Sequence, residues 1–308
     1  MQSRFVDLDG PVHYADFGGG GDAGAGPPLV LVHGLGGSHL NWMAAAPLLA
    51  RHSRVLAPDL IGFGRTPLAG RQPRIRANQR LLGRFVDEVA GRPAVLVANS
   101  MGGLISLLEA AERPERVAGL VLVDPAVPRP RGVRLDREVR LGFTVFAIPG
   151  VGERFLAHRR TRLGAERLVA DVLRVCCVDS ARVAPEVVAA MCALTQERNT
   201  LKGNDAAFLA AARSLLLTLA RPGPYLRVVQ SVAAPTLLLQ GDGDRLVPLG
   251  SIQAIARARP SWTLQILDGL GHVPHLEDPE RFAAAVTAWL DTQALDVSGA
   301  RPGTRPSR

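Results

Sequence analysis

Ser100 is the residue of this chain best placed to act as a nucleophile. It stands in Val95-Leu96-Val97-Ala98-Asn99-Ser100-Met101-Gly102-Gly103, where an apolar run from Ala94 to Ala98 gives way to small residues and then to a Leu- and Ala-rich stretch from Leu104. Strand, sharp turn and helix in that order hold a serine in strained backbone at a strand end. The side chains two before and two after it must then be small, so that strand and helix can pass closely. Ala98 and Gly102 meet that need, with Ala98 in place of the first glycine of a Gly-x-Ser-x-Gly pattern. A serine hydroxyl is a poor nucleophile at neutral pH until a neighbouring base takes its proton, and a third group must orient that base. Carboxylates and imidazoles near the ends of later apolar runs are the candidates. Asp242 and Asp244 follow the run ending at Gln240, and His272 and His275 follow the run ending at Leu267. Together these groups offer acyl transfer through a covalent intermediate.

The elements that must position them read as alternating strands and helices. Residues 3–17 form a hairpin about Asp9-Gly10, followed by a Gly-rich loop from Gly18 to Pro28. Leu29–Val32, Arg54–Ala57, Ala94–Ala98, Val117–Val123 and Pro235–Gln240 are short, wholly apolar or nearly so, as in a parallel sheet covered on both faces. Helices are expected near 78–90 and from Leu104 to Arg113, then near 250–258 and after Asp278-Pro279, where Asp278 is the N-cap and Pro279 the first helical residue. From about 128 to 224 the strand signal stops and helical segments near 135–147, 151–163, 165–178, 185–198 and 205–220 replace it. The pattern predicts a mostly parallel, doubly wound α/β sheet with a helical cap inserted between two strands. The expected division is a core of 1–127 and 225–293, a cap of 128–224 and a disordered tail of 294–308.

Composition narrows the partners. The basic side is almost all arginine, with Lys202 the only lysine, a bias that reflects a GC-rich coding genome more readily than a nucleic-acid surface. Basic residues form no run with interleaved aromatics, so nucleic acid is not an expected partner. Between Arg129 and Arg221 sixteen basic side chains stand against nine acidic ones, and that segment carries nearly all of the net charge of +8. It could attract an anionic substrate or an acidic lipid surface, or simply be a solvated face. Cys176, Cys177 and Cys192 are too few and too badly spaced for a disulfide framework or a zinc site, and read as small buried hydrophobes in a reducing compartment. The first residues carry no apolar leader and no apolar run approaches about 18 residues, so a cytoplasmic protein without a membrane span is expected. No metal or cofactor is expected, and oligomeric state, a homo-oligomer included, stays open.

The order serine, aspartate, histidine, with His33-Gly34 after the third strand, the Asp59–Gly64 loop, the Ser100 turn, Asp244 before Val247-Pro248, and Gly271-His272, resembles the α/β-hydrolase superfamily across roughly residues 3–292. The resemblance implies Ser100 as nucleophile, His272 as general base and then acid, and Asp244 as the group that fixes the imidazole. It implies an oxyanion hole made by the backbone N–H groups of Leu35 and Met101. Asp242 competes with Asp244, and Asp124, ending an earlier strand, stands where some members of the superfamily carry the acid. His275 competes with His272, while His33 reads as structural, behind the oxyanion loop.

Serine at 100 separates the chain from haloalkane dehalogenases and epoxide hydrolases, and no tryptophan follows it as in proline iminopeptidases. Hydroxynitrile lyases use a lysine near the triad, whereas Lys202 lies deep in the cap. Asn99-Ser100-Met101-Gly102-Gly103 is similar to the same run in meta-cleavage-product hydrolases, which cut carbon–carbon bonds of vinylogous diketo acids. Those enzymes place tryptophan where Val273 stands here, and carry Gly-Pro-Gly in the oxyanion loop. The expected activity is hydrolysis of a carboxylic ester or related acyl bond of a small apolar substrate, with carbon–carbon bond hydrolysis as the alternative. A non-catalytic binding protein on the same fold is the reading from another class. The stretch Leu141–Ile148, flanked by Arg134, Arg137, Arg140 and Arg154, is the most apolar of the cap and is expected either to line the acyl pocket, its arginines steering anionic groups, or to pack the cap onto the core.

Overall fold

The computed structural model describes residues 1–19, 26–200, 203–293 and 295. Outside them lie residues 20–25 of the Gly-rich loop before Leu29, residues 201 and 202, which include Lys202, and the tail from 294 other than Leu295. Strands β1 (Gln2–Asp7), β2 (Pro11–Gly18), β3 (Leu29–Val32), β4 (Val55–Pro58), β5 (Ala94–Asn99), β6 (Val117–Val123), β7 (Thr236–Gly241) and β8 (Thr263–Leu267) form one sheet in the order β1-β2-β4-β3-β5-β6-β7-β8. The β1–β2 and β2–β4 pairs are antiparallel and the rest parallel. Every residue of β3 to β7 is buried, which is why these runs carry no polar face.

The period of two along each strand sorts the side chains into two cores. Val30, Val32, Leu96 and Leu120 face one layer, with Leu82 and Phe85 of α2 (Ile75–Phe85) and Leu104 and Leu108 of α3 (Met101–Glu112). Leu29, Leu31, Val95 and Val121 face the other, with Trp42, Leu49 of α1 (Ala46–Leu49) and Phe282 of the last helix, Pro279–Asp291. Each such Leu, Val or Phe side chain contributes about 1.5–3 kcal/mol when fully buried. Asp278 caps the last helix by accepting from Arg281 N at 3.0 Å.

Between β6 and β7 lie α4 (Arg137–Ala147), α5 (Val151–Arg162), α6 (Ala165–Cys176), α7 (Pro185–Asn199), α8 (Asn204–Leu219) and α9 (Pro222–Ser231). The last of these has no counterpart in the sequence reading. It opens on Pro222-Gly223-Pro224, where prolines in a first turn cost no hydrogen bond. Tyr225 and Val229 bury themselves in the sheet core, and the Tyr225 hydroxyl donates to Ala126 O at 3.2 Å. The expected boundary at 224 therefore falls inside a helix that packs with the core. Helix α2 starts at Ile75, three residues before the expected Asn78, because Ile75 is buried and its N–H is capped from the insertion by Ser214 Oγ at 3.1 Å. Helix α10 (Leu249–Ala258) is followed after β8 by a short unanticipated helix, α11 (Pro274–Glu277), leading into α12 (Pro279–Asp291).

A buried carboxylate fixes the loops that reach the strand ends. Asp59, after β4, accepts from His13 Nδ1 at 2.7 Å, His39 N at 2.7 Å, His39 Nδ1 at 3.0 Å and Arg65 N at 2.8 Å. Burial alone would raise its pKa, but the hydrogen bonds from His13 and His39 more than offset this and hold it below the usual carboxylate range. Strand β2, the loop after β3 and the loop after β4 are thereby tied at one point. Asp59→Ala leaves those buried donors unpaired and is expected to lower unfolding stability in urea by at least about 3 kcal/mol. A loss below about 1 kcal/mol would mean that the loops are held by packing instead.

Candidate active site

Ser100 joins β5 to α3 with φ 53° and ψ −117°, a left-handed conformation a β-substituted residue adopts only when its surroundings impose it. The end of β6 supplies that restraint: Ser100 N donates to Val123 O at 3.0 Å and Ala126 N to Ser100 O at 3.0 Å. Helix α3 begins so close to β3 that a Cβ on Gly102 would lie 2.4 Å from Val32 O. The loop after β3 passes as near on the other side, where a Cβ on Gly34 would come within 3.0 Å of Ser100 Cβ. Leu35 N and Met101 N, on that loop and at the first turn of α3, have no backbone acceptor among the described residues. His33 braces the same loop: its Nδ1–H donates to Gly34 O at 2.8 Å while Nε2 accepts from Leu60 N at 3.0 Å. Both ring nitrogens are used by the neutral form, and burial pushes its pKa down to about 4.

His272 and Asp244 come from the loops after β8 and β7. His272 Nδ1–H donates to Asp244 Oδ2 at 2.7 Å, both side chains buried. Asp244 Oδ1 accepts from Leu246 N at 2.7 Å and Val247 N at 3.0 Å, so both carboxylate oxygens are directed. The backbone of His272 is pinned on each side: its N–H donates to Cys176 O at 2.6 Å, and its carbonyl accepts from Asn99 Nδ2 at 2.9 Å. Asn99 immediately precedes Ser100, and its amide bridges the serine turn to the histidine loop. The Ser100 hydroxyl and His272 Nε2 make no hydrogen bond in this structure; such contacts commonly tighten only when substrate is bound.

Sequence reasoning missed the groups that hold these residues. Asn99 has a visible signal, as the polar residue closing an apolar run. Glu277, which accepts from Gly271 N at 2.8 Å and Asp179 N at 2.7 Å, has none. Nor does the carbonyl of Cys176, whose thiol burial pushes up to about 12.

The rival residues have other partners. Asp242 Oδ1 accepts from Gly269 N at 2.7 Å at the surface. Asp124, at φ 44°, accepts from Gly241 N at 2.9 Å through Oδ1, while its buried Oδ2 has no partner. Burial, and then the charge of Asp244, raise the Asp124 pKa well above the ordinary value. Two buried groups, His13–His39–Asp59 and Asp124–Asp244–His272, bring potential metal-ligand atoms within 4.8 Å of one another. In each, the imidazole Nδ1 atoms are already bonded to the carboxylates, so a metal would have to displace existing hydrogen bonds.

His275 stacks on Trp42 with ring centroids 4.2 Å apart, and neither of its nitrogens has a partner. Burial, with nearby His272 second, pushes its pKa down to about 3. The unfolded chain, with a histidine pKa of about 6.5, therefore binds this proton first on acidification. The associated stability is complete above about pH 6.5 and is lost as pH falls towards about 3. Replacing His275→Phe keeps the stack and removes two unsatisfied nitrogens, so thermal unfolding should show a Tm at pH 7 equal to or above wild type and a larger advantage at pH 5. An unchanged pH slope would contradict the buried neutral state.

Residues 27–279 match the family model described as alpha/beta hydrolase fold. A pimeloyl-[acyl-carrier protein] methyl ester esterase of Aromatoleum aromaticum is 30% identical over 84% of this chain and 96% of its own. A 2-hydroxy-6-oxo-6-(2'-aminophenyl)hexa-2,4-dienoic acid hydrolase of Metapseudomonas resinovorans is 28% identical over 89% of this chain and 87% of its own. Among solved structures, a thermophilic esterase from Thermogutta terrifontis superposes with a TM-score of 0.69 at 26% identity, covering 94% of this chain and 98% of that one. With its eight-stranded sheet, the turn at Ser100 and this match, the chain belongs to the α/β-hydrolase fold family.

Proposed function

We propose that this protein is a serine hydrolase that cleaves a carboxylic ester, or a related acyl bond, of a small apolar substrate. The observation that carries the reading is the 2.7 Å His272–Asp244 pair, fastened through Asn99 to a strained serine turn. Ser100 Oγ attacks the acyl carbon as its proton passes to His272 Nε2. The oxyanion that forms is met by the N–H groups of Leu35 and Met101. Collapse of the intermediate expels the alcohol, which takes the proton from His272 and leaves Ser100 acylated. Water then attacks the acyl group, gives a proton to His272 and releases the acid as the proton returns to Ser100. Asp244 keeps the Nδ1 proton in place and stabilises the imidazolium.

Helices α4 to α8 serve as the cap in this reading. Phe208 of α8 lies against the loop carrying Leu35, where a Cβ on Gly36 would meet its ring at 3.2 Å, and Phe146 of α4 packs on Phe208 with centroids 5.1 Å apart. This aromatic pair is the proposed wall of an acyl pocket. The methyl ester named for the 30% relative supports ester chemistry. Carbon–carbon bond hydrolysis is the second reading, favoured by the Asn99–Gly103 run and by the dienoic acid hydrolase among the relatives.

A panel of p-nitrophenyl esters of graded chain length beside one meta-cleavage product separates the two, and the faster kcat/KM decides. Labelling of Ser100 by a fluorophosphonate probe is expected, and its absence would favour a binding protein. Ser100→Ala should lower turnover by at least about a thousandfold with Tm preserved, since the Cβ stays in place. Asp244→Asn should cost about the same through the wrong tautomer, whereas Asp242→Asn should stay within about threefold. Retention of a tenth of wild-type turnover by Ser100→Ala would sink the assignment.

A further inference from the structure

We propose that the outward face of the α4–α5 hairpin docks on an anionic membrane surface. The stretch Leu141–Ile148 divides in two in the structure. Phe143 and Phe146 turn inward, Phe146 onto Phe208, while Leu141 and Ile148 turn out, 64% and 46% exposed. Arg137, Arg140, Leu141, Thr144 and Ile148 recur at helical spacing and all are exposed. Val151, Arg154, Phe155, His158 and Arg162 repeat the arrangement on α5, and the exposed turn Pro149-Gly150 joins the two. Four of the ten exposed large hydrophobic side chains among the described residues, Leu141, Ile148, Val151 and Phe155, thus fall within this one hairpin. Clustered apolar exposure marks an interaction surface where scattered exposure does not.

The charges around it identify the partner. The hairpin's two carboxylates are both held in ion pairs, Glu138 with Arg174 and Arg245, and Glu153 with Arg213 at 2.9 Å. Arg137, Arg140, Arg154 and Arg162 enter no ion pair with the described residues and remain as uncompensated cations among the apolar side chains. Apolar side chains with a basic surround suit the interface of a bilayer with anionic headgroups, where the first insert below the phosphates and the second bind them. The surface is independent of the chemistry at Ser100.

The test is flotation of the full chain with unilamellar vesicles of phosphatidylglycerol and phosphatidylcholine, and with vesicles of phosphatidylcholine alone. Partition is expected onto the anionic vesicles, weakening as salt shortens the Debye length to about 10 Å near 0.1 M. The triple variant Arg137→Gln, Arg140→Gln, Arg154→Gln should bind about a hundredfold more weakly, at about fivefold per arginine. The double variant Leu141→Ser, Ile148→Ser should lose binding without changing the salt dependence of what remains. Thermal unfolding and turnover of a soluble ester should be unchanged in both, since all five side chains are exposed. Equal partition onto neutral vesicles, no partition onto either, or binding that both variants retain would overturn the proposal. Concentration-dependent dimerisation without lipid, abolished by the double variant, would also overturn it and assign the face to a second copy of this chain.

Discussion

The structure depends on one backbone conformation, the left-handed turn at Ser100. A residue with a Cβ pays roughly 1–3 kcal/mol for such a turn, so the turn persists only where neighbours over-determine it. Here they come from several separate elements. The end of β6 takes both the N–H and the carbonyl of Ser100, and the close seat of α3 on β3 leaves the chain no room for a wider bend. The sheet order, with β5 between β3 and β6, is what makes these neighbours available. A fold that placed β5 at an edge would have support on one side alone.

Around that turn, the acidic groups divide by environment. Asp244 and Asp124 occupy adjacent strand-end loops in the same buried region, and two carboxylates there cannot both be charged at low cost. The backbone decides between them: Asp244 receives two amide N–H groups and an imidazole, while Asp124 receives one amide and lies buried beside the charge of its neighbour. Hydrogen bonding around the one and burial of the other thus place two chemically identical side chains in different environments. Asp59 is a third solution, ionised in a wholly buried site because two histidines and two amides surround it.

The central strands could be read from the chain because burial on both faces leaves them almost wholly apolar, and the turn at Ser100 because its small neighbours are a steric necessity. Helix α9 could not, since Pro222-Gly223-Pro224 is equally compatible with a loop and with a first helical turn, and only the distant core that receives Tyr225 decides. In the candidate site, the nearness of Asp244 to His272 depends on two loops separated by a helix and a strand, and local sequence offers spacing but no distance. Which of Asp242 and Asp244 reaches inward is set by a turn whose amides point at Asp244. Asn99 and Glu277 act on backbone groups of other segments, contacts that leave no periodicity to find. The inward and outward halves of Leu141–Ile148 were inseparable by composition, because both are apolar and only packing tells them apart.

The hydrogen bond from His272 N to the carbonyl of Cys176, at the last residue of α6, has a wider meaning for this architecture. Helices α4 to α9 stand between β6 and β7, outside the sheet. In this chain the insertion donates an acceptor to the backbone of the histidine itself, so the imidazole takes its bearing partly from outside the sheet. A tilt of α6 is transmitted to the ring directly. Grafting another insertion onto this scaffold would have to supply a carbonyl at the same point, or the histidine loop would lose one of its two anchors even with every residue of the sheet intact.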